Sequence, residues 1–97
     1  MAAVRLVVQL DAVPGKGAEF AKAYAERCKE SRKDAGCLQF EMFQSVDNPD
    51  KFTLLELWES QEALDAHVKL LQTRPPLQPG LRAGVGQRED YTYNRIR

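Results

Sequence analysis

The chain is poor in the side chains that most often carry chemistry. Its 97 residues include one histidine, one tryptophan and two cysteines. Cys28 and Cys37 lack CxxC spacing. Even with His67 they fall short of the four ligands of a structural zinc site, so no metal centre is expected. Two thiols without a pairing pattern read as reduced, half-buried side chains. Net charge is missing too: 14 Lys and Arg balance 14 Asp and Glu. A nucleic-acid-binding surface usually carries a basic excess, so no such partner is expected. A chain without net charge also does little to oppose self-association. No stretch approaches the roughly 20 apolar residues of a membrane span, so no membrane partner is expected. The opening MAAVRLVVQLDAV is broken at strand spacing by Arg5, Gln9 and Asp11 and has no signal-type apolar run, which points to the cytoplasm. No internal repeat or low-complexity tract divides the chain. Its length and 43% hydrophobic content fit a single globular domain over 1–97.

What is present is a clear alternation of patterns. Val4 to Val13 predicts a strand with Val4, Leu6, Val8 and Leu10 on one face. Pro14 and Gly15 end it. Lys16 to Asp34 predicts a long helix, with Phe20, Tyr24 and Cys28 at i, i+4 spacing and Gly36 just past its end. Cys37 to Val46 predicts a second strand, with Leu38, Phe40, Met42 and Val46 sharing a face. The turn Asp47–Lys51 joins it as an antiparallel hairpin to a third strand, Phe52 to Glu59. That strand is apolar on both faces and so needs cover on both. Ser60 is a suitable N-cap for a helix running to about Leu71, where Thr73-Arg74-Pro75-Pro76 breaks it. Leu77 to Gly86 reads mostly as loop, and Arg88 to Ile96 as a fourth strand.

The order β-α-β-β-α-β predicts a ferredoxin-like α+β fold with both helices on one face of a four-stranded antiparallel sheet. The other face then carries either Val7, Phe43, Leu55 and Leu57 or the alternate set. Either way apolar side chains are uncovered in a monomer, and a homodimer packed sheet to sheet is the economical arrangement.

The segment CLQFEMFQSVDNPDKFTLLELWES followed by QEALDAH resembles the antibiotic biosynthesis monooxygenase domain family. The residues that carry the likeness are Gly36 and Cys37, then Glu56, Trp58 and Ser60 at the end of a strand, then Ala63, Leu64 and His67 on the following helix. It extends over residues 4 to 68. The resemblance implies a dimeric α+β barrel, and for activity a cofactor-independent oxidation of a small aromatic quinol or polyketide-like phenol by dioxygen. Isomerases and domains without assigned activity share the fold, so a non-oxidative isomerase or a non-catalytic ligand-binding domain is the alternative. The chain departs from many relatives in having no second His near Thr73–Leu77. It also has Gln9 where haem-degrading members place an Asn, which argues against haem degradation.

On this reading the protein must remove a proton, hold the anion and exclude water. His67 is the natural base, because imidazole is the side chain whose ordinary pKa lies near neutrality. Trp58 offers a flat wall and an indole N–H donor, and is assigned to the catalytic pair with His67. Tyr24, Phe40 and Phe52 are expected to line the substrate pocket. Asn94 or an arginine, Arg95 or Arg88, would hold developing negative charge. No cofactor is expected. Each of these residues also has a plain reading: a packed histidine on an apolar helix face, a core tryptophan, core aromatics and solvated arginines.

Overall fold

A computed structural model of the chain describes residues 2–77 and 79–93, with only the backbone at Val85, Asp90 and Tyr93. The elements are β1 (Ala3–Ala12), α1 (Gly17–Ser31), β2 (Cys37–Gln44), β3 (Lys51–Trp58), α2 (Gln61–Leu71) and β4 (Arg82–Tyr93). The four strands form one antiparallel sheet in the order β2-β3-β1-β4. This is the ferredoxin-like β-α-β-β-α-β fold.

The even-numbered residues of β1 and β3 face the helices. Leu6, Leu10, Ala12, Phe52, Leu54 and Trp58 are buried there with Phe20 and Cys28 of α1 and Leu64 of α2. Period-2 alternation sends Val7, Leu55 and Leu57 to the opposite face, where Phe43 is 45% exposed. Of the two parities left open by the sequence, the even set is therefore the covered one.

Three local departures have physical causes. The first concerns β2. Cys37 pairs with Trp58 and Gln39 with Leu57, so Leu38 is the extra residue of a bulge. It leaves the expected face and is 59% exposed. Val46, also expected on that face, lies beyond the strand in the exposed turn.

The second departure is that α1 ends at Ser31, three residues early. Tighter turns follow, in which Lys33 N–H donates to Glu30 O and Asp34 N–H to Ser31 O. Gly36, at φ +81°, turns the chain into β2 instead of capping α1.

The third is β4, which begins at Arg82, inside the segment expected to be loop. Between the pairs Gln9↔Gln87 and Asp11↔Ala83 the strand carries two residues more than β1 does. Gly84, at φ +63°, absorbs that irregularity. The glycines there belong to a bulged strand.

Capping fixes where the helices sit. Ser60 Oγ accepts from Ala63 N–H at 3.1 Å, as expected of an N-cap. At α1 the cap position is Lys16, which supplies no side-chain acceptor. Asp50, from the β2–β3 turn, takes that role and accepts from Gly15 and Gly17 N–H at 3.0 and 2.9 Å. Among the described residues no helix is long and apolar enough to cross a membrane.

Candidate functional site

His67 is the centre of the polar chemistry. It lies on the inward face of α2 and is 2% exposed. Its Nδ1 is 2.7 Å from Asp34 Oδ2. An ionised carboxylate only accepts, so Nδ1 carries a hydrogen, and in the neutral ring Nε2 is the nitrogen that holds the lone pair. Among the described residues Nε2 has no hydrogen-bond partner. Asp34 is held in turn by Arg74, whose Nη1 and Nη2 donate to Oδ2 and Oδ1 at 2.9 and 2.6 Å. Arg74 Nε also reaches Glu30 at 3.4 Å. The Arg74 guanidinium first, and His67 with it, hold the Asp34 carboxyl below its ordinary value against the opposing effect of burial. Asp34 therefore stays a carboxylate and fixes both the tautomer and the orientation of the ring.

The hydrocarbon side of the ring is equally defined. Trp58 stacks on it with centroids 4.4 Å apart and planes 33° apart, and Phe40 packs at 5.5 Å. Trp58 is fully buried, and its Nε1–H donates to Glu56 Oε1 at 3.0 Å. The two residues are i, i+2 on β3 and so project to the same side of the sheet. Glu56 is itself buried.

His67 and Glu56 line one cavity of about 210 Å³, whose wall includes Tyr24, Phe40, Leu54 and Leu71. Arg27, Arg82 and Arg88 complete its charged lining. Sheet register explains the last two: Arg82 is opposite Ala12 and Arg88 opposite Val8, both on the helix-covered parity. Burial raises the Tyr24 phenol above its ordinary pKa, although Arg82 and Arg27 work the other way. Tyr24 thus remains a protonated donor.

The structure brings His67, Tyr24 and Phe40 to one cavity with Arg88, whose facing the sequence left open. It corrects two placements. Trp58 is a support beneath His67 and does not line the cavity. Phe52, near the start of β3, packs on Phe20 at 5.1 Å and lines a different hollow, of about 380 Å³, between α1 and β2. That hollow contains Cys28, whose thiol is pushed up by burial and so is held protonated, and it has no base of the His67 type. Asn94 and Arg95 lie outside the described residues. No group of three or more metal-ligating side chains exists among the described residues.

Sequence reasoning missed Asp34, Arg74, Arg27 and Arg82, and gave Glu56 no role. Glu56 alone had a signal, as an acid at an inward position of an apolar strand. The others are brought to the site by tertiary structure, with Asp34 and Arg74 separated from each other by 40 residues.

Comparison with known proteins agrees with this architecture. Among solved structures, a Pseudomonas aeruginosa protein superposes with a TM-score of 0.81 at 21% identity, covering 98% of this chain and 97% of its own. A protein from Nitrosomonas europaea, provisionally named an antibiotic biosynthesis monooxygenase, gives 0.82 at 21% identity, with 95% and 90% covered. A conserved protein from Methanosarcina mazei gives 0.76 at 24%, with 97% and 95% covered. At these identities the likeness is one of fold. No curated protein matches the chain. The family model described as antibiotic biosynthesis monooxygenase matches residues 3–74, which contain Asp34, Glu56, Trp58, His67 and Arg74. The chain belongs to the antibiotic biosynthesis monooxygenase family.

Proposed function

We propose that the protein is a cofactor-independent monooxygenase that oxidises a small aromatic quinol or phenol with dioxygen. The observation that carries this reading is the Asp34–His67 pair on an aromatic-walled cavity, with Nε2 of His67 left without a partner among the described residues. Dioxygen is a triplet and reacts slowly with closed-shell molecules. An electron-rich phenolate or carbanion can pass it an electron directly. The protein's part is to make that anion and keep it dry.

His67 Nε2 takes the substrate proton, and the imidazolium that forms is stabilised by the Asp34 carboxylate on Nδ1. Tyr24 donates a hydrogen bond towards the developing oxyanion, and the arginines supply positive potential. The reduced oxygen then joins the substrate carbon, and the resulting hydroperoxide loses water. For an anthrone-type substrate, a ring methylene and one dioxygen give a ring carbonyl and one water. One oxygen atom becomes the carbonyl, and the other leaves as water with the two methylene hydrogens. The hydrocarbon side of the cavity, Phe40, Leu54 and Leu71, is suited to an aromatic ring.

The test is oxygen consumption with a panel of dihydroxynaphthalenes and hydroxyanthrones, without added cofactor, on the wild type and His67→Ala. Uptake that exceeds buffer and falls at least about a hundredfold in the variant supports the reading. Uptake equal to buffer across the panel sinks it and leaves proton transfer without oxygen, or binding alone, as the role of the site.

A further inference from the structure

The cavity beneath His67 does not end at its own wall. A second, outer hollow of about 590 Å³ shares Tyr24, Arg27, Leu71 and Arg82 with it, so the two are adjoining chambers. Pro75 to Leu77 and Pro79 to Gly80 form the far side of the outer chamber. Its charged lining is all of one sign. Among the described residues it contains Arg27, Arg74 and Arg82 and no carboxylate.

These guanidinium groups are not equivalent. Arg74 is neutralised by Asp34 and Glu30. Arg27 Nη2 donates to Pro75 O at 2.7 Å, a contact with a neutral group that leaves its charge uncompensated. Arg82 makes no side-chain hydrogen bond or ion pair among the described residues. Its guanidinium lies over Gly86, where a Cβ would come within 2.9 Å of Nη2. Both Arg27 and Arg82 act electrostatically on the Tyr24 phenol, so their charges converge on the boundary between the chambers. The inner wall adds Arg88 and, among the described residues, one acid, Glu56, which accepts from the neutral indole N–H of Trp58.

With Glu56 the single carboxylate on the two linings among the described residues, a neutral quinol would leave positive charge in excess at Arg27 and Arg82. A carboxylate would give each guanidinium a charge-assisted hydrogen bond, in the planar geometry that arginine favours. The geometry points to a hydroxyaromatic carboxylic acid as the substrate class. Its ring and hydroxyl occupy the inner chamber at His67, and its carboxylate sits between Arg27 and Arg82 at the boundary. The orientation of the hydroxyl rests on the proposed role of His67; the recognition of the carboxylate does not.

Isothermal titration calorimetry with 1-hydroxy-2-naphthoate and with 1-naphthol separates the two. The acid is expected to bind the wild type at least about tenfold more tightly than the neutral naphthol. That advantage, read as the ratio of the two affinities in each protein, should fall to near unity in Arg82→Gln or Arg27→Gln and return in part in Arg82→Lys. Equal affinities in the wild type, or an advantage that survives in both glutamine variants, would overturn the inference. Oxygen uptake with a dihydroxynaphthalene carboxylate is recorded alongside. Arginine-dependent binding without uptake supports carboxylate recognition and rejects the oxygenase reading alone.

Discussion

Asp34 Oδ2 lies 2.7 Å from His67 Nδ1, which joins the turn after α1 to the middle of α2 across 33 residues of sequence. The contact gives the site its direction, because a ring fixed at Nδ1 can exchange protons only through Nε2. Asp34→Asn keeps the shape but removes the charge that supports the imidazolium. In the oxygen-uptake assay it should lower kcat by about 10- to 100-fold with a smaller change in KM. A variant with wild-type kcat would show that Asp34 is structural only.

The same carboxylate links stability to pH. Its folded pKa is below its ordinary value of 3.8, chiefly through Arg74. A depressed carboxyl contributes stability that is fully present above 3.8 and lost as pH falls through the folded value. Urea midpoints of the wild type and Asp34→Asn should therefore differ most above about pH 5 and converge well below about pH 4. A gap that stays constant from about pH 7 to about pH 2 would mean the ion pair contributes nothing titratable.

Gly36 is the backbone hinge behind this pair. Its φ is +81°, and an added Cβ would fall 2.5 Å from Ala63 Cβ and 3.0 Å from Glu59 Cγ. Its carbonyl also accepts from Glu59 N–H at 2.9 Å, which fastens the start of β2 to the entry of α2. Gly36→Ala combines left-handed strain with a steric overlap and should cost about 2–4 kcal/mol in chemical denaturation. A loss within about 0.5 kcal/mol would show that the turn relaxes freely.

How much of this is readable from residues alone depends on the range of the interaction. Ser60 as a cap, the β2–β3 hairpin and the grouping of Val4, Leu6, Val8 and Leu10 on one face of β1 follow from local chemistry and period; which face the helices cover does not. The pattern misplaces Leu38, because a bulge changes parity by one residue and leaves no mark in the hydrophobic alternation. It shortens β4, because Gly84 and Gly86 resemble loop glycines until β1 lies beside them. Trp58 and His67 do belong together, but as a stacked pair and not as facing walls. Asp34 reads as the last residue of a helix, and Arg74 and Arg82 as charged residues of breaker and loop segments; only the packed chain gives them partners or a cavity.

The last prediction concerns the face of the sheet away from the helices. Its rows, read across strands in register, are Gln39-Leu57-Arg5-Tyr91, Glu41-Leu55-Val7-Glu89 and Phe43-Thr53-Gln9-Gln87. Most of the polar members are tied within the face: Arg5 donates to Gln39, Thr53 Oγ1 donates to Gln9 Oε1 at 2.9 Å, and Tyr91 OH donates to Glu89 Oε2 at 2.7 Å. That leaves Val7, Leu55 and Leu57 as an apolar centre with Phe43 and Tyr91, 45% and 50% exposed, towards its edges. We propose that a second copy of the chain covers this centre. Sedimentation velocity at micromolar concentration should give a dimer for the wild type. Leu55→Arg places a charge at the middle of the face, on the side of the sheet opposite His67, and should shift the protein towards monomer while leaving its helical circular dichroism in place. A wild type that sediments as a monomer, or a Leu55→Arg protein that dimerises as well as the wild type, would exclude this face as the contact.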